Sequence, residues 1–252
     1  MTLPLLRGLS AAALAAFAFA AQADEVQVAV AANFSAAAQK IAAQFEKDTG
    51  HAVKLSFGAT GKFYAQIEAG APFDVLLAAD QTTPGKLVTE GKAVPATLHT
   101  YAIGKLVLWS ADPALVDARG EVLKSDKWKH LSVADAKLVP YGQAAKETLA
   151  ALKLTDAVQS RVVTAENIGQ ALQFAQSGNA ELGFVALGQV QPADGSKPAG
   201  SMWLVPDKLY TPIKQDAVVI ASTKVSRAAT EFVDYLASDK ARVVIKAYGY
   251  SW

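Results

Sequence analysis

Four segments of the 252-residue chain set an amide or hydroxyl side chain among small or glycine residues. They are Ala32-Asn33-Phe34-Ser35, Gly58-Ala59-Thr60-Gly61, Pro140-Tyr141-Gly142-Gln143 and Glu166-Asn167-Ile168-Gly169. Each falls where an apolar, strand-like run gives way to a helix-like one. The free N–H groups and positive dipole end of a helix favour an anion, and small neighbours let a ligand approach the backbone. Several such ends aimed at one place would hold an oxyanion without Lys or Arg. Taken singly, Asn33, Thr60 and Asn167 also fit ordinary helix caps, each worth about 1 kcal/mol. The two uses are compatible, because a cap side chain occupies one N–H and leaves others free.

Other chemistries find less support. Gly61-Lys62 after Gly58 is similar to part of a P-loop, but that pattern needs Gly at position 56 and Ser or Thr at 63, where Ser56 and Phe63 stand. His51, His99 and His130 lie far apart, without the i, i+4 spacing of zinc enzymes. No G-x-S-x-G elbow of a serine hydrolase is present. Cysteine is absent, which excludes disulfides, thiolate metal sites and thiol nucleophiles. Asp74 and Asp80 lie on or beside one strand with no second-lobe partner to name, and Asp74 reads as structural.

Strands and helices must alternate to place the four segments. Val26 to Ala32 is an apolar, β-branched run, and Ser35 to Lys47 carries Ala38, Ile41, Ala42 and Phe45 at helical spacing. Asp48-Thr49-Gly50 stops that helix. The pattern continues as strand Ala52 to Phe57, helix Lys62 to Ala69, strand Asp74 to Ala78, a short helix at Pro84 to Glu90 and strand Tyr101 to Trp109. Ser110 to His130 is more polar and resists assignment. Beyond it the reading gives strand Lys137 to Val139, helix Gln143 to Leu152, strand Arg161 to Thr164, helix Ile168 to Gln176 and strand Leu182 to Val185. A loop at Gly195 to Gly200 precedes a final strand, Ala217 to Ala221, and helices at Arg227 to Leu236 and Asp239 to Ala247. Such alternation implies parallel sheets covered by helices, with ligands beyond the carboxyl ends of the strands.

Composition bounds the partners. With 52% hydrophobic residues, and 24 Lys+Arg against 23 Asp+Glu, the chain folds, and it carries none of the positive excess of a nucleic-acid binder. Arg7, an apolar stretch through Ala20 and Ala21-Gln22-Ala23 form the three parts of a secretory signal peptide. The apolar stretch is too short for the roughly 20 residues of a membrane span. Cleavage after Ala23 removes one cation and no acid, so the exported product, residues 24–252, is neutral.

Five segments carry a resemblance over essentially all of that product: Val28 to Phe34, Gln66 to Asp80, Ala145 to Leu149, Gly183-Phe184-Val185 and Lys246 to Tyr250. On these the chain resembles the periplasmic molybdate-binding proteins of ABC transporters. The resemblance implies an α/β, two-lobe type II periplasmic binding protein fold. Each lobe is then a mostly parallel sheet flanked by helices, the two joined by two crossing strands. Lobe one would hold residues 24–102 plus 216–252, and lobe two residues 103–215. The family's ligand positions fall on Asn33, with the backbone N–H of Ala32 or Asn33, on the Thr60 hydroxyl, on Tyr141 and on the backbone N–H of Ile168. Through the oxyanion oxygens, Asn33, Thr60, Tyr141 and Ile168 would surround molybdenum. Some relatives place a ligand tyrosine just after the Gly-Phe-Val strand, where this chain has Ala186, and Tyr141 would supply that hydroxyl from another direction. The implied partners are molybdate or tungstate, a membrane permease and its cytoplasmic ATPase, with the receptor a periplasmic monomer needing no cofactor. A receptor for sulfate or another small oxyanion is the alternative, and an exported enzyme the more distant one.

Overall fold

The computed structural model describes residues 24–222 and 225–252. The signal peptide reading lies outside the described residues. Strand β1 (Glu25–Ala31) is buried almost throughout, as its unbroken apolar run requires. It runs through a 3-10 turn (Ala32–Phe34) into α1 (Ser35–Thr49), an Ala-rich helix whose buried stripe is Ala38, Ile41, Ala42 and Phe45. Then follow β2 (Ala52–Gly58), α2 (Thr60–Glu68), β3 (Val75–Leu77), α3 (Thr82–Thr89), β4 (His99–Gly104), β5 (Leu106–Ser110) and β6 (Leu131–Ala134). Helices α4 (Pro140–Ala151) and α5 (Thr155–Val158), strand β7 (Val162–Ala165), helix α6 (Ile168–Gln176), strand β8 (Leu182–Ala186) and helix α7 (Leu187–Val190) come next. The rest is β9 (Ser201–Leu204), β10 (Ile213–Val219), α8 (Arg227–Tyr235) and α9 (Asp239–Ala247).

The strands form two five-stranded sheets, ordered β2-β1-β3-β10-β4 and β7-β6-β8-β5-β9. In each, four strands share a direction and the fourth in order, β10 or β5, opposes them. The sheets are therefore mixed. The chain leaves the first sheet after Gly104, enters the second at Leu106, and rejoins the first at Ile213. Helices cover both sheets, and four buried apolar clusters fill the layers between them.

Four sequence readings change. Tyr101 to Trp109 is two strands in different sheets, broken at Lys105. Lys137 to Val139 is a turn, closed by bonds from the Leu138 and Val139 N–H to the Asp135 carbonyl, with the Asp135 side chain capping the Lys137 N–H at 2.9 Å. The strand is Leu131–Ala134 instead, four residues with Ser132 buried in it. Strand β9, which pairs with β5, went unread. The last strand starts at Ile213, because Gln215 and Asp216, polar residues suggestive of a loop, are buried within the sheet. Asp74 accepts the Gln27 N–H at 2.8 Å, tying β1 to the turn before β3.

Candidate functional site

All four singled-out segments follow the carboxyl ends of strands, and the fold sets them face to face. Ala31, Ala32 and Ala59 of the first lobe share one buried cluster with Val139, Tyr141, Ala165 and Ile168 of the second. The 3-10 turn after β1 packs against α6 and α7. The Gly61 N–H donates to the Leu138 carbonyl at 3.0 Å, where a Cβ on Gly61 would press on the Leu138 backbone. Lys62 Nζ reaches Glu166 Oε2 at 2.7 Å. Grooves of 410 Å³ and 510 Å³ open between the lobes, one past Gly61, Pro140 and Ile213, the other past Ala32, Asn167 and Gly169.

Asn33, Thr60, Tyr141 and Ile168 are 2%, 1%, 0% and 2% exposed. Phe34, fully buried, locks the turn that carries Asn33 by edge contacts with Tyr101 at 4.8 Å and Tyr250 at 5.2 Å. Asn33 Nδ2 donates to Gln215 Oε1 at 2.7 Å and to the Tyr250 hydroxyl at 3.2 Å, and its Oδ1 has no partner. Thr60 is the first residue of α2, and its hydroxyl oxygen accepts the Ala79 N–H at 3.0 Å. That bond occupies a lone pair and leaves the hydroxyl proton to donate. Asn167 caps α6 by accepting the Gln170 N–H at 3.0 Å, as the cap reading requires. The Ile168 and Gly169 N–H groups are left without an acceptor in their own helix. The Ile168 carbonyl is taken by Gln189 Nε2 at 3.1 Å.

Tyr141 enters from the first turn of α4, behind Pro140. Its hydroxyl is buried beside the Tyr250 hydroxyl, with no acceptor at good hydrogen-bond geometry. Burial, then the neighbouring Tyr250, Tyr101 and Tyr210 hydroxyls, hold it far above the ordinary tyrosine range, so it stays a neutral O–H donor. Gly104 makes room for it: a Cβ there would overlap the Tyr141 hydroxyl. Ala186 ends β8 fully buried, its N–H bonded to Gln189 Oε1 at 3.0 Å.

Sequence reasoning missed Gln215, Tyr101 and Gly104, and took Tyr250 only as part of a resembling segment. All four meet Asn33 or Tyr141, or a neighbour of one. The one available signal was a run of three polar residues, Lys214 to Asp216, inside an otherwise apolar strand. The histidines lie elsewhere, His51 beside Glu231 at 3.2 Å and His130 beside Glu181 at 3.9 Å. Asp80 packs against α3, accepting the Thr83 N–H at 2.8 Å, and burial raises its carboxyl pKa.

The pattern described for bacterial extracellular solute-binding proteins matches residues 26–251. The molybdate-binding protein ModA of Azotobacter vinelandii is 57% identical over 250 residues, 99% of each chain. ModA of Rhodobacter capsulatus is 49% identical over 91% of this chain and 89% of its own. The solved Azotobacter vinelandii periplasmic molybdate-binding protein superposes with a TM-score of 0.88 at 44% identity, over 90% of this chain and 99% of that one.

Proposed function

The chain belongs to the bacterial extracellular solute-binding proteins, in their molybdate-binding ModA group, and we propose that it binds molybdate between its lobes and delivers it to an ABC importer. One observation carries the reading: the fully buried, neutral and unpartnered Tyr141 hydroxyl, in the same buried cluster as the helix starts at Ala32, Ala59 and Ile168. A buried donor without an acceptor costs about 1–3 kcal/mol. An oxyanion removes that cost.

The donors in this reading are the Tyr141 and Thr60 hydroxyls, the Ile168 N–H, the backbone N–H of Ala32 or Asn33, and the Asn33 side chain. None is cationic. Molybdate is a dianion at neutral pH, so helix ends and charge-assisted hydrogen bonds offset its charge. A fully ionised tetrahedral oxyanion accepts and never donates, which matches an all-donor lining. A protonated phosphate would bring an O–H for which this donor lining leaves few acceptors, Asn33 Oδ1 being one without a partner. Sulfate shares charge and shape but is smaller, so its exclusion rests on the size of the closed cavity. Tungstate, nearly the size of molybdate, binds as well.

Ligand favours the closed pairing of lobes by its differential affinity for it. The closed receptor, exported to the periplasm with its signal peptide cut after Ala23 and acting as a monomer, docks on a membrane permease driven by a cytoplasmic ATPase. The site binds and releases; it performs no catalysis. Calorimetry and thermal melts with molybdate, tungstate, sulfate and phosphate test this. Molybdate at 100 times its Kd adds about 2.7 kcal/mol of stability, and equimolar sulfate or phosphate adds little. An equal shift with sulfate overturns the selectivity, and no shift with molybdate overturns the assignment.

A further inference from the structure

The buried side chain of Tyr250 lies between the two sides of the cleft. Toward the first lobe, its hydroxyl donates to the Asn33 main-chain carbonyl at 2.7 Å, and its ring meets Phe34 edge-on. Its main chain is pinned as well. The next residue, Ser251, exchanges two hydrogen bonds with Ile103, at 2.6 and 3.1 Å, beside the point where the chain leaves the first sheet. Toward the second lobe, the ring rests on α7. Gly188 is buried there, and a Cβ on it would overlap the Cε2, Cζ and hydroxyl oxygen of Tyr250. Helix α7 is fixed in turn to the ligand side of its own lobe. The Leu187 N–H donates to the Lys105 carbonyl at 2.9 Å, and the Gln189 side chain bonds the Ala186 N–H and the Ile168 carbonyl at 3.0 and 3.1 Å. One continuous run of contacts therefore leads from residue 33, through the tyrosine, to residue 168. These two residues carry N–H groups that meet the anion from opposite lobes in the reading above. Close-packed atoms resist compression, so the lobes approach no further than the ring allows.

Building on the reading that the cleft takes molybdate, we propose that Tyr250 is a positioning residue that determines specificity: wedged between Asn33 and Gly188, it is the spacer that sets how far the lobes close, and with it the width of the anion cavity. In this role it need not touch the ligand. Molybdate and sulfate share charge and shape, so only a fixed width separates them. Walls held apart at the molybdate width leave the smaller ion with hydrogen bonds too long to be strong. Shortening the spacer lets the walls close on it.

The test is the ratio of molybdate to sulfate affinity, measured on the full chain by calorimetry, with sulfate read through its displacement of molybdate. Tyr250→Phe keeps the ring and trims the spacer by its hydroxyl, and Tyr250→Leu shortens it further. The ratio is expected to fall roughly threefold in the first and about tenfold or more in the second. Gly188→Ala lengthens the spacer instead. It should weaken both anions, sulfate more than molybdate, so that the ratio rises while affinity drops. A tyrosine that only stabilised the fold would lower both affinities by one factor and leave the ratio unmoved. An unchanged ratio in folded Tyr250→Phe overturns the inference, and so does a ratio that falls in Gly188→Ala, even where Tyr250→Leu does not fold. A wild type that takes no molybdate overturns the receptor reading; one that takes it, with variants of unchanged ratio, overturns this inference alone.

Discussion

The two lobes repeat one plan with different wiring. Their sheets share an order and place one opposed strand fourth, β10 in the first and β5 in the second. In the first lobe most candidate site groups are already engaged with protein, Asn33 Oδ1 excepted. Thr60 holds the Ala79 N–H, and Asn33 is bonded to Gln215 and Tyr250. In the second, the Tyr141 hydroxyl is unpartnered, and the Ile168 N–H heads a helix with no acceptor in it. The first lobe is therefore built to hold its donors in place, and the second to gain partners when ligand arrives. Preorganisation on one side limits the ordering cost of binding, and unmet donors on the other make closure depend on ligand.

The contrast can be broken by a set of variants, strongest first. Gly104→Ala puts a methyl into the space of the Tyr141 hydroxyl. Denaturant melts should show a loss of about 1–3 kcal/mol from overpacking, and calorimetry a larger loss of molybdate affinity than for Tyr141→Phe. Thr60→Val strips the acceptor from the buried Ala79 N–H and the donor from the site, so stability falls by about 1–3 kcal/mol and affinity falls with it. Tyr141→Phe should separate the two properties. Affinity drops by about 1.5–3 kcal/mol for a hydrogen bond to a charged group, while the ligand-free melting temperature holds or rises, since an unpartnered buried hydroxyl is gone. Equal loss of unliganded stability in both variants would erase the distinction between the lobes.

The smallest effect lies at the mouth of the cleft. Lys62, by a hydrogen bond and its charge, holds the exposed Glu166 carboxyl below its ordinary value of 4.5. A depressed carboxyl stabilises the paired state above that value, and the contribution vanishes as pH falls through the lowered pKa. Glu166→Gln should weaken ligand binding slightly at low ionic strength and not at all in high salt, as for other exposed pairs. A salt-independent loss would show that Glu166 acts other than through its charge.

Much of this was legible in sequence, because the helical spacing in Ser35–Thr49 and the apolar run of β1 have one reading each. The helix start at Ile168 was legible as well, since the Asn167 cap marks it, whereas α2 and α4 begin at Thr60 and Pro140, before the Lys62 and Gln143 of the reading, and carry no side-chain cap. What stayed hidden lies where the chain changes sheet. The apolar run through Lys105 shows no change of period, although strands of different sheets meet there. Gln215 and Asp216 read as loop because burial of polar groups depends on partners far along the chain, Asn33 for one and Thr100 with Gln81 for the other. Strand β6 is too short, and too polar at Ser132, to announce itself.

Asn33 meets Gln215 across 182 positions and Tyr250 across 217. A chain that emerges amino end first thus exposes Asn33 long before the residues that aim it exist, while Thr60 waits only for Ala79. Receptor competence comes all at once, when residue 250 docks against the first turn of the fold. A chain not yet complete to residue 250 therefore lacks a contact that holds Asn33.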